Sequence, residues 1–261
     1  MKEWEYNLIK RNIFELMDID LTGYKCEQMK RRLAAYLVRS GHASWTNFFK
    51  SIRNDSTAQN KLKNYLTINV SSFFRDDEKY IYLRNKTLPE LLTNGSSLKI
   101  WSAGCSRGQE PYSIAILLAE LTSLRQQHYI LATDLDRAAL AHAKAGGPYN
   151  ESDMTRVSES QLKKHFILRE DGYYVNLNLQ RKIKFQQHNL LTDKFNSGFD
   201  LIICRNVVIY FTAEVKNTLY NHFCQALRIG GILFIGGTEI VSRYQDIGFE
   251  TAGISFYRRT M

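Results

Sequence analysis

From residue 98 onward the chain repeats one unit: a short β-prone run, a small-residue turn, then a helix-forming segment. The strand-like runs are LKIWSA, HYILATD, IKFQQHN, FDLIICRN and GILFIGG. Helical patterns fall between most of them, over residues 111–121, 137–145 and 213–227. Strands separated by helices need crossover connections, which make neighbouring strands parallel. A doubly wound, Rossmann-like α/β sheet is therefore the economical architecture. FETAGISFYRR, at the end, reads as one last strand, antiparallel at the sheet's edge. HFILREDGYYVNLNL, residues 165–179, interrupts the repeat with Asp171-Gly172 between two β-prone runs, the signal of a tight hairpin. It predicts a small antiparallel β insertion over about 155–182.

Ahead of this region the pattern is helical. Residues 1–68 carry 12 Lys or Arg against 7 Asp or Glu, a net of +5 (12 minus 7) on about a quarter of the chain. In KCEQMKRRLAAYLVRS, residues 25–40, Cys26, Met29, Leu33, Tyr36 and Leu37 form one helical stripe. Lys25, Gln28, Arg32 and Arg39 line its edge, either as a solvated face or as a docking surface for an acidic helix. NDSTAQNKLKNYLTINV, residues 54–70, fits a linker. The expected division is a small all-α domain over 1–65 and an α/β domain over 66–261.

The chain has 261 residues and a formal charge of +9, with pI near 9.3, so its partner is expected to be acidic: nucleic acid, an anionic membrane or an acidic protein surface. SIAILLAEL, residues 113–121, is too short to cross a bilayer. MKEWEYNLIK lacks the apolar core of an export signal, so a cytoplasmic location without membrane insertion is expected. Cys26, Cys105, Cys204 and Cys224 are widely spaced, and the six histidines show no metal spacing. Neither a disulfide framework nor a metal site is signalled.

The candidate chemistry lies in AGCSRGQEPYS, residues 103–113. Gly104 and Gly108 allow close backbone approach, and Pro111 suits the first turn of a helix. A strand, glycine turn and helix in this order form the general dinucleotide device, but Glu110 stands where a pyrophosphate would lie. Two like charges ~4 Å apart at an effective dielectric of ~20 cost roughly 4 kcal/mol, about a thousandfold in affinity. S-adenosylmethionine has a sulfonium, an ammonium and a carboxylate instead of phosphates. For that ligand the turn's N–H groups would take the carboxylate and Glu110 the ammonium. The simpler reading of Glu110 is an acid favoured in a first helical turn. Asp134, closing HYILATD, is placed to hold ribose hydroxyls or, alternatively, to cap the helix that follows.

The ordered set NVSSFFRD (69–76), WSAGCSRGQEPYSIA (101–115), TDLD (133–136), HNLL (188–191) and CRNVVIYF (204–211) resembles the chemotaxis receptor glutamate methyltransferases, the CheR family. The N-terminal part is similar to that family's helical domain, so the resemblance spans nearly the whole chain. It implies that Asn69, Ser71 and Arg75 approach the cofactor from the linker side, and that Glu110 and Asp134 hold its amino-acid and ribose parts. Asn189 and Leu190 would flank the adenine, and Arg205 and Asn206 would close the site. Tyr210 would stand with Arg75 near the transferred methyl, whereas Phe73 and Phe74 are packing residues. It further implies docking of the helical domain, through Lys25, Arg32 and Arg39, on the cytoplasmic helical bundle of a methyl-accepting chemoreceptor. The enzyme is expected to be a monomer that binds neither nucleic acid nor metal.

The implied reaction joins a receptor glutamate carboxylate to the sulfonium methyl, giving a glutamyl 5-O-methyl ester and S-adenosylhomocysteine. A carboxyl of pKa near 4.3 is about 99.8% ionised at neutral pH, so no strong general base is needed. No Ser-His-Asp or Cys-His arrangement stands in the motifs. Orientation can contribute roughly 7–11 kcal/mol, and Arg75 is the natural group to orient the carboxylate. The tight turn at Asp171-Gly172 argues against tethering by a receptor's C-terminal tail, since tail-binding family members have a longer glycine-containing loop there. Cys105 reads as small-residue filling and His188 as structural. Two alternatives remain: a nucleic-acid methyltransferase, suited by the basic pI, and a receptor-binding adaptor without chemistry.

Overall fold

Apolar residues at helical spacing build four helices at the start of the computed structural model, which describes residues 1–67, 71–93, 97–123 and 126–261. Helix α1 (Glu3–Met17) buries Tyr6, Ile9, Ile13 and Met17, and α2 (Cys26–Arg39) buries Met29 and Leu33. Helix α3 (Trp45–Ile52) starts at Ser44, whose hydroxyl accepts from Asn47 N, and buries Trp45, Phe48, Phe49 and Ile52. The segment expected to be a linker is largely a fourth helix, α4 (Ser56–Thr67), which buries Leu62 and Leu66. Its polar opening NDST, which suggested a linker, is a helix start: Asp55 Oδ1 accepts from Thr57 N and Ala58 N. These helices form one compact unit, Met1–Ile68 together with Ile209–Lys216. The returning segment is tied to the loop before α2. Tyr24 and Phe211 form an antiparallel bridge, and Thr212 N donates to Gly23 O.

The second unit is Asn69–Val208 with Asn217–Met261. Its strands are β1 (Lys99–Ala103), β2 (Tyr129–Asp134), β3 (Phe166–Arg169), β4 (Gly172–Val175), β5 (Ile183–Gln187), β6 (Phe199–Cys204), β7 (Leu227–Ile235), β8 (Phe249–Gly253) and β9 (Phe256–Arg259). Seven of them make one sheet in the order β5-β2-β1-β6-β7-β9-β8. The first five are parallel, and β9 and β8 add antiparallel pairings. Its helices are α5 (Asp77–Tyr82), α6 (Leu88–Leu91), α7 (Gln109–Leu121), α8 (Arg137–Ala145), α9 (Glu151–Met154), α10 (Glu159–His165), α11 (Leu177–Gln180), most of α12 (Ala213–Ala226) and α13 (Tyr244–Ile247). Among the described residues no helix is long and apolar enough to cross a membrane.

Two details depart from the sequence reading. The C-terminal run holds two strands rather than one, because Gly253 and Ser255 take left-handed conformations (φ +147° and +73°) and turn the chain back. The hairpin β3-β4 forms a separate two-stranded sheet, but its turn is Glu170-Asp171, since Arg169 pairs directly with Gly172. Gly172 is demanded by a distant neighbour: a Cβ there would sit 2.6 Å from the Tyr149 carbonyl oxygen. Tyr149 bridges to Tyr173 beside it.

The strand order reverses between β1 and β6, and such a switch point opens a crevice at the strands' carboxyl ends. Gly104 sits there with φ +84°, and a Cβ on it would overlap Val207 Cγ2 just beyond β6. A left-handed residue with a Cβ costs about 1–2 kcal/mol, and overpacking adds about 1–3 kcal/mol. Gly104→Ala should therefore lose about 2–5 kcal/mol in urea unfolding. Gly237→Ala, which has open space and no left-handed backbone, should stay within about 0.5 kcal/mol of the parent.

Candidate active site

At the end of β1 the chain makes a turn in which Gly104, Ser106 and Gly108 all have positive φ. The turn is fastened to β2. Gly104 N and Cys105 N both donate to Thr133 O, at 2.8 and 2.9 Å, and Ser106 N donates to Asp134 Oδ2 at 2.7 Å. Gly108 N donates to Cys105 O. These four amides are spent inside the protein, so they are not the turn's N–H groups that would take a ligand carboxylate.

Glu110, in the first turn of α7, is 9% exposed. Its Oε1 accepts from Ser102 Oγ at 2.8 Å, and its Oε2 lies 3.6 Å from Arg205 Nη1. Burial pushes the carboxyl above its ordinary range, while Arg205 and Ser102 pull it partway back. Asp134 is shifted upward for the same first reason, against hydrogen bonds from Asp136 N and Ser106 N. Capping of α8 falls to Asp136, whose carboxylate accepts from Ala138 N and Ala139 N. Asp134 is thus released from the capping role that competed for it.

Arg205 follows β6 and has a side chain only 3% exposed. Its Nη2 donates to Asp76 Oδ2 at 2.6 Å and to the Arg75 carbonyl at 2.8 Å. The guanidinium lies 4.9 Å from the ring centroid of Phe234 and 5.4 Å from that of Tyr80. Burial works against its charge, but Tyr80, Glu110 and Asp76 outweigh that and hold it more firmly protonated than usual. Asp76, Arg205 and Glu110 together carry a net charge of −1, two carboxylates against one guanidinium. Asn206, at φ +58°, donates its N–H to Glu239 Oε2 at 3.1 Å, and the same oxygen accepts from Gly236 N beyond β7.

Asn69 lies outside the described residues. The Ser71 carbonyl accepts from Gln109 Nε2 at 3.4 Å, and Phe73 and Phe74 are buried core residues. Asn189 folds its Oδ1 back onto Leu191 N after β5. Leu190 lines a groove of about 480 Å³ with Phe195 and His222. His188 is buried against Trp101 and Phe195, and burial lowers its pKa against the pull of Asp193. The Cys105 thiol is raised well above its usual value, first by burial and then by Asp134 and Glu110, so it is no thiolate.

Tyr210 belongs to the helical unit, where its carbonyl accepts from Lys25 N at 2.9 Å. Lys25 and Arg39 are exposed. Arg32 is not a plain surface cation: its Nη2 donates to the Tyr65 carbonyl, its guanidinium lies 5.0 Å over the Tyr65 ring, and burial lowers its pKa. Sequence reasoning gave no role to Asp76, Ser102 or Glu239. A hydroxyl inside the apolar strand KIWSA was the visible signal for Ser102, whereas Asp76 and Glu239 are recruited by long-range contacts.

The donor set fits S-adenosylmethionine. Two carboxylates whose pKa desolvation raises, buried Glu110 after β1 and half-buried Asp134 at the end of β2, suit an ammonium and hydroxyl donors. Among the described residues no group of three or more His, Cys, Asp or Glu could hold a metal ion. Comparison with known proteins agrees with this chemistry. The family described as "CheR methyltransferase, SAM binding domain" matches residues 69–257, and "CheR methyltransferase, all-alpha domain" matches residues 4–67. A chemotaxis protein methyltransferase of Listeria innocua is 40% identical over 260 residues, covering 99% of this chain and 98% of its own length. Its counterpart in Listeria monocytogenes is equally similar, at 40% identity and the same coverage. One from Borreliella burgdorferi is 31% identical over 94% of this chain and 91% of its own. With both parts matched and the site's acidity accounted for, the chain belongs to the CheR methyltransferase family and is an S-adenosylmethionine-dependent methyltransferase.

Proposed function

We propose that this enzyme methylates glutamate side chains of chemoreceptors, forming glutamyl 5-O-methyl esters in chemotactic adaptation. The observation that carries the reading is the crevice of β1 and β2, where buried Glu110 and half-buried Asp134 stand beside turn amides already spent within the protein. Such a crevice selects a cation that also brings hydroxyl donors. When bound there, S-adenosylmethionine supplies a sulfonium methyl open to a carboxylate oxygen. Glu110 holds the ammonium and Asp134 the ribose, with Asn69, Ser71, Arg205, Asn206 and the Asn189-Leu190 turn completing the enclosure. Arg75 orients the incoming carboxylate and Tyr210 stands near the methyl. No group has to remove a proton, because glutamate arrives ionised.

Residues 1–65 act as the receptor-docking domain and 66–261 as the catalytic domain, in a cytoplasmic monomer. Family membership favours neither the nucleic-acid methyltransferase nor the adaptor without chemistry. The direct experiment incubates labelled S-adenosylmethionine with receptor-rich membranes and then treats the product with alkali. Methyl esters release methanol, whereas base-stable label would defeat the proposal.

Only the ionised form of Glu110 attracts an ammonium, and burial has raised its pKa. As pH falls through that raised value, the carboxyl is neutralised and cofactor affinity should weaken; as pH rises, it should recover. Hydrogen bonds to charged groups contribute about 1.5–3 kcal/mol, so Glu110→Gln should weaken binding roughly tenfold to a hundredfold and flatten this pH dependence. Calorimetric titration over the mildly acidic range checks both.

Lys25→Glu with Arg39→Glu should slow receptor methylation about tenfold while leaving cofactor affinity unchanged. Arg32→Glu should lower the melting temperature as well, because it removes the contact with Tyr65.

A further inference from the structure

We propose that Asp76 is a positioning residue: through Arg205 it fixes the backbone of Arg75 and draws the guanidinium off Glu110, leaving that carboxylate for a cationic ligand. The proposal rests on the reading of Arg75 and Glu110 given above. It begins with an asymmetry. Arg205 Nη2 is 2.6 Å from Asp76 Oδ2, whereas Nη1 is 3.6 Å from Glu110 Oε2, beyond a normal hydrogen bond. Nη2 also reaches the Arg75 carbonyl at 2.8 Å, so one nitrogen clamps two consecutive residues.

The clamped corner is strained. Phe74 and Asp76, on either side of Arg75, are non-glycine residues at φ +50° and +61°. Such backbone persists only where its surroundings over-determine it. Here Phe74 N is held by Ser113 Oγ at 3.0 Å, the Phe74 ring packs on Tyr80 at 5.4 Å, and Arg205 holds the carbonyl between. Asp76 itself is solvent-facing, with a side chain 43% exposed. Core packing therefore does not account for it.

Without Asp76, Glu110 is the ion-pair partner that remains to the guanidinium among the described residues, and the guanidinium should turn to it. Among the described residues, the groups that interact with Glu110 include Arg205, Ser102, Glu239, Tyr80, Cys105 and Cys204, and Arg205 is the cation paired with it. A closer Arg205 makes Glu110 easier to ionise and less available. The pH at which cofactor affinity fades should then move to lower values, while affinity at neutral pH weakens.

The test uses full-length Asp76→Asn, which keeps shape and one acceptor, beside Asp76→Glu and Arg75→Ala. In Asp76→Asn, S-adenosylmethionine binding at neutral pH should weaken roughly fivefold, and kcat on receptor membranes should fall about tenfold. The acid limb of the binding profile should shift downward, and Asp76→Glu should recover part of each change. Folded Asp76→Asn with parental affinity, pH profile and kcat would overturn the proposal. So would a smaller folded fraction whose remaining enzyme keeps the parental pH profile. Arg75→Ala with parental kcat would instead sink the catalytic assignment of Arg75, and the calorimetric pH profile would still decide Asp76.

Discussion

The arrangement of the crevice depends on one guanidinium taken out of water. Arg205 is enclosed by Tyr80 and Phe234 and shared by Asp76, the Arg75 carbonyl and Glu110. Removing one partner of a buried ion pair typically costs about 3–5 kcal/mol, because the remaining charge stays buried without compensation. The surrounding elements are therefore held to positions that serve this one group. The loop before α5 must deliver Asp76 and a carbonyl, α7 must deliver Glu110, and β6 must end where its next residue can reach all three. A positive group satisfied by two carboxylates leaves one negative charge over, and that surplus gives the crevice its sign.

The glycine turn adds a second constraint of the same sense. In nucleotide-binding loops the amides after the first strand face the ligand and welcome anions. Here Thr133 O takes two of them and Asp134 takes a third, so the turn is closed onto β2. Closing it also orients Asp134, whose carboxylate is held between Ser106 N and Asp136 N. Donors spent inside the protein, beside the carboxylate of Glu110, suit a sulfonium donor and disfavour a diphosphate. Glu110 is thus consistent with its neighbours rather than an anomaly at a helix start.

How much of this was legible in the sequence follows the distance over which each demand acts. The strand runs, α8, the first-turn acid Glu110 and the strand-end Asp134 are written in stretches of a few residues, where periodicity and turn chemistry speak directly. The role of Asp76 depends on a partner 129 positions away, and that of Glu239 on one 33 positions away. Neither leaves a local pattern. The hairpin turn was misplaced by one residue because Gly172, at φ +137°, pairs with Arg169 and also answers to distant Tyr149. Helix α4 was hidden by its opening, because the polar residues that cap a helix also compose linkers. Only the spacing of Leu62 and Leu66 separates the two cases.

CRNVVIYF shows why a motif can be easy to find and hard to interpret. Its first half serves the sheet unit: Cys204 ends β6, Arg205 carries the charge cluster, and Asn206 gives its N–H to Glu239. Its second half serves the helical unit: Tyr210 O accepts from Lys25 N, and Phe211 bridges to Tyr24 with ring centroids 5.0 Å apart. Two sets of demands on consecutive residues leave few positions free, so the string is distinctive. Its aromatics nevertheless read as core at a strand end, because the sequence does not say that the chain changes allegiance after Val208. The contacts of Tyr210 and Phe211 are those of a return segment that secures the loop before α2, which is the loop that carries Lys25.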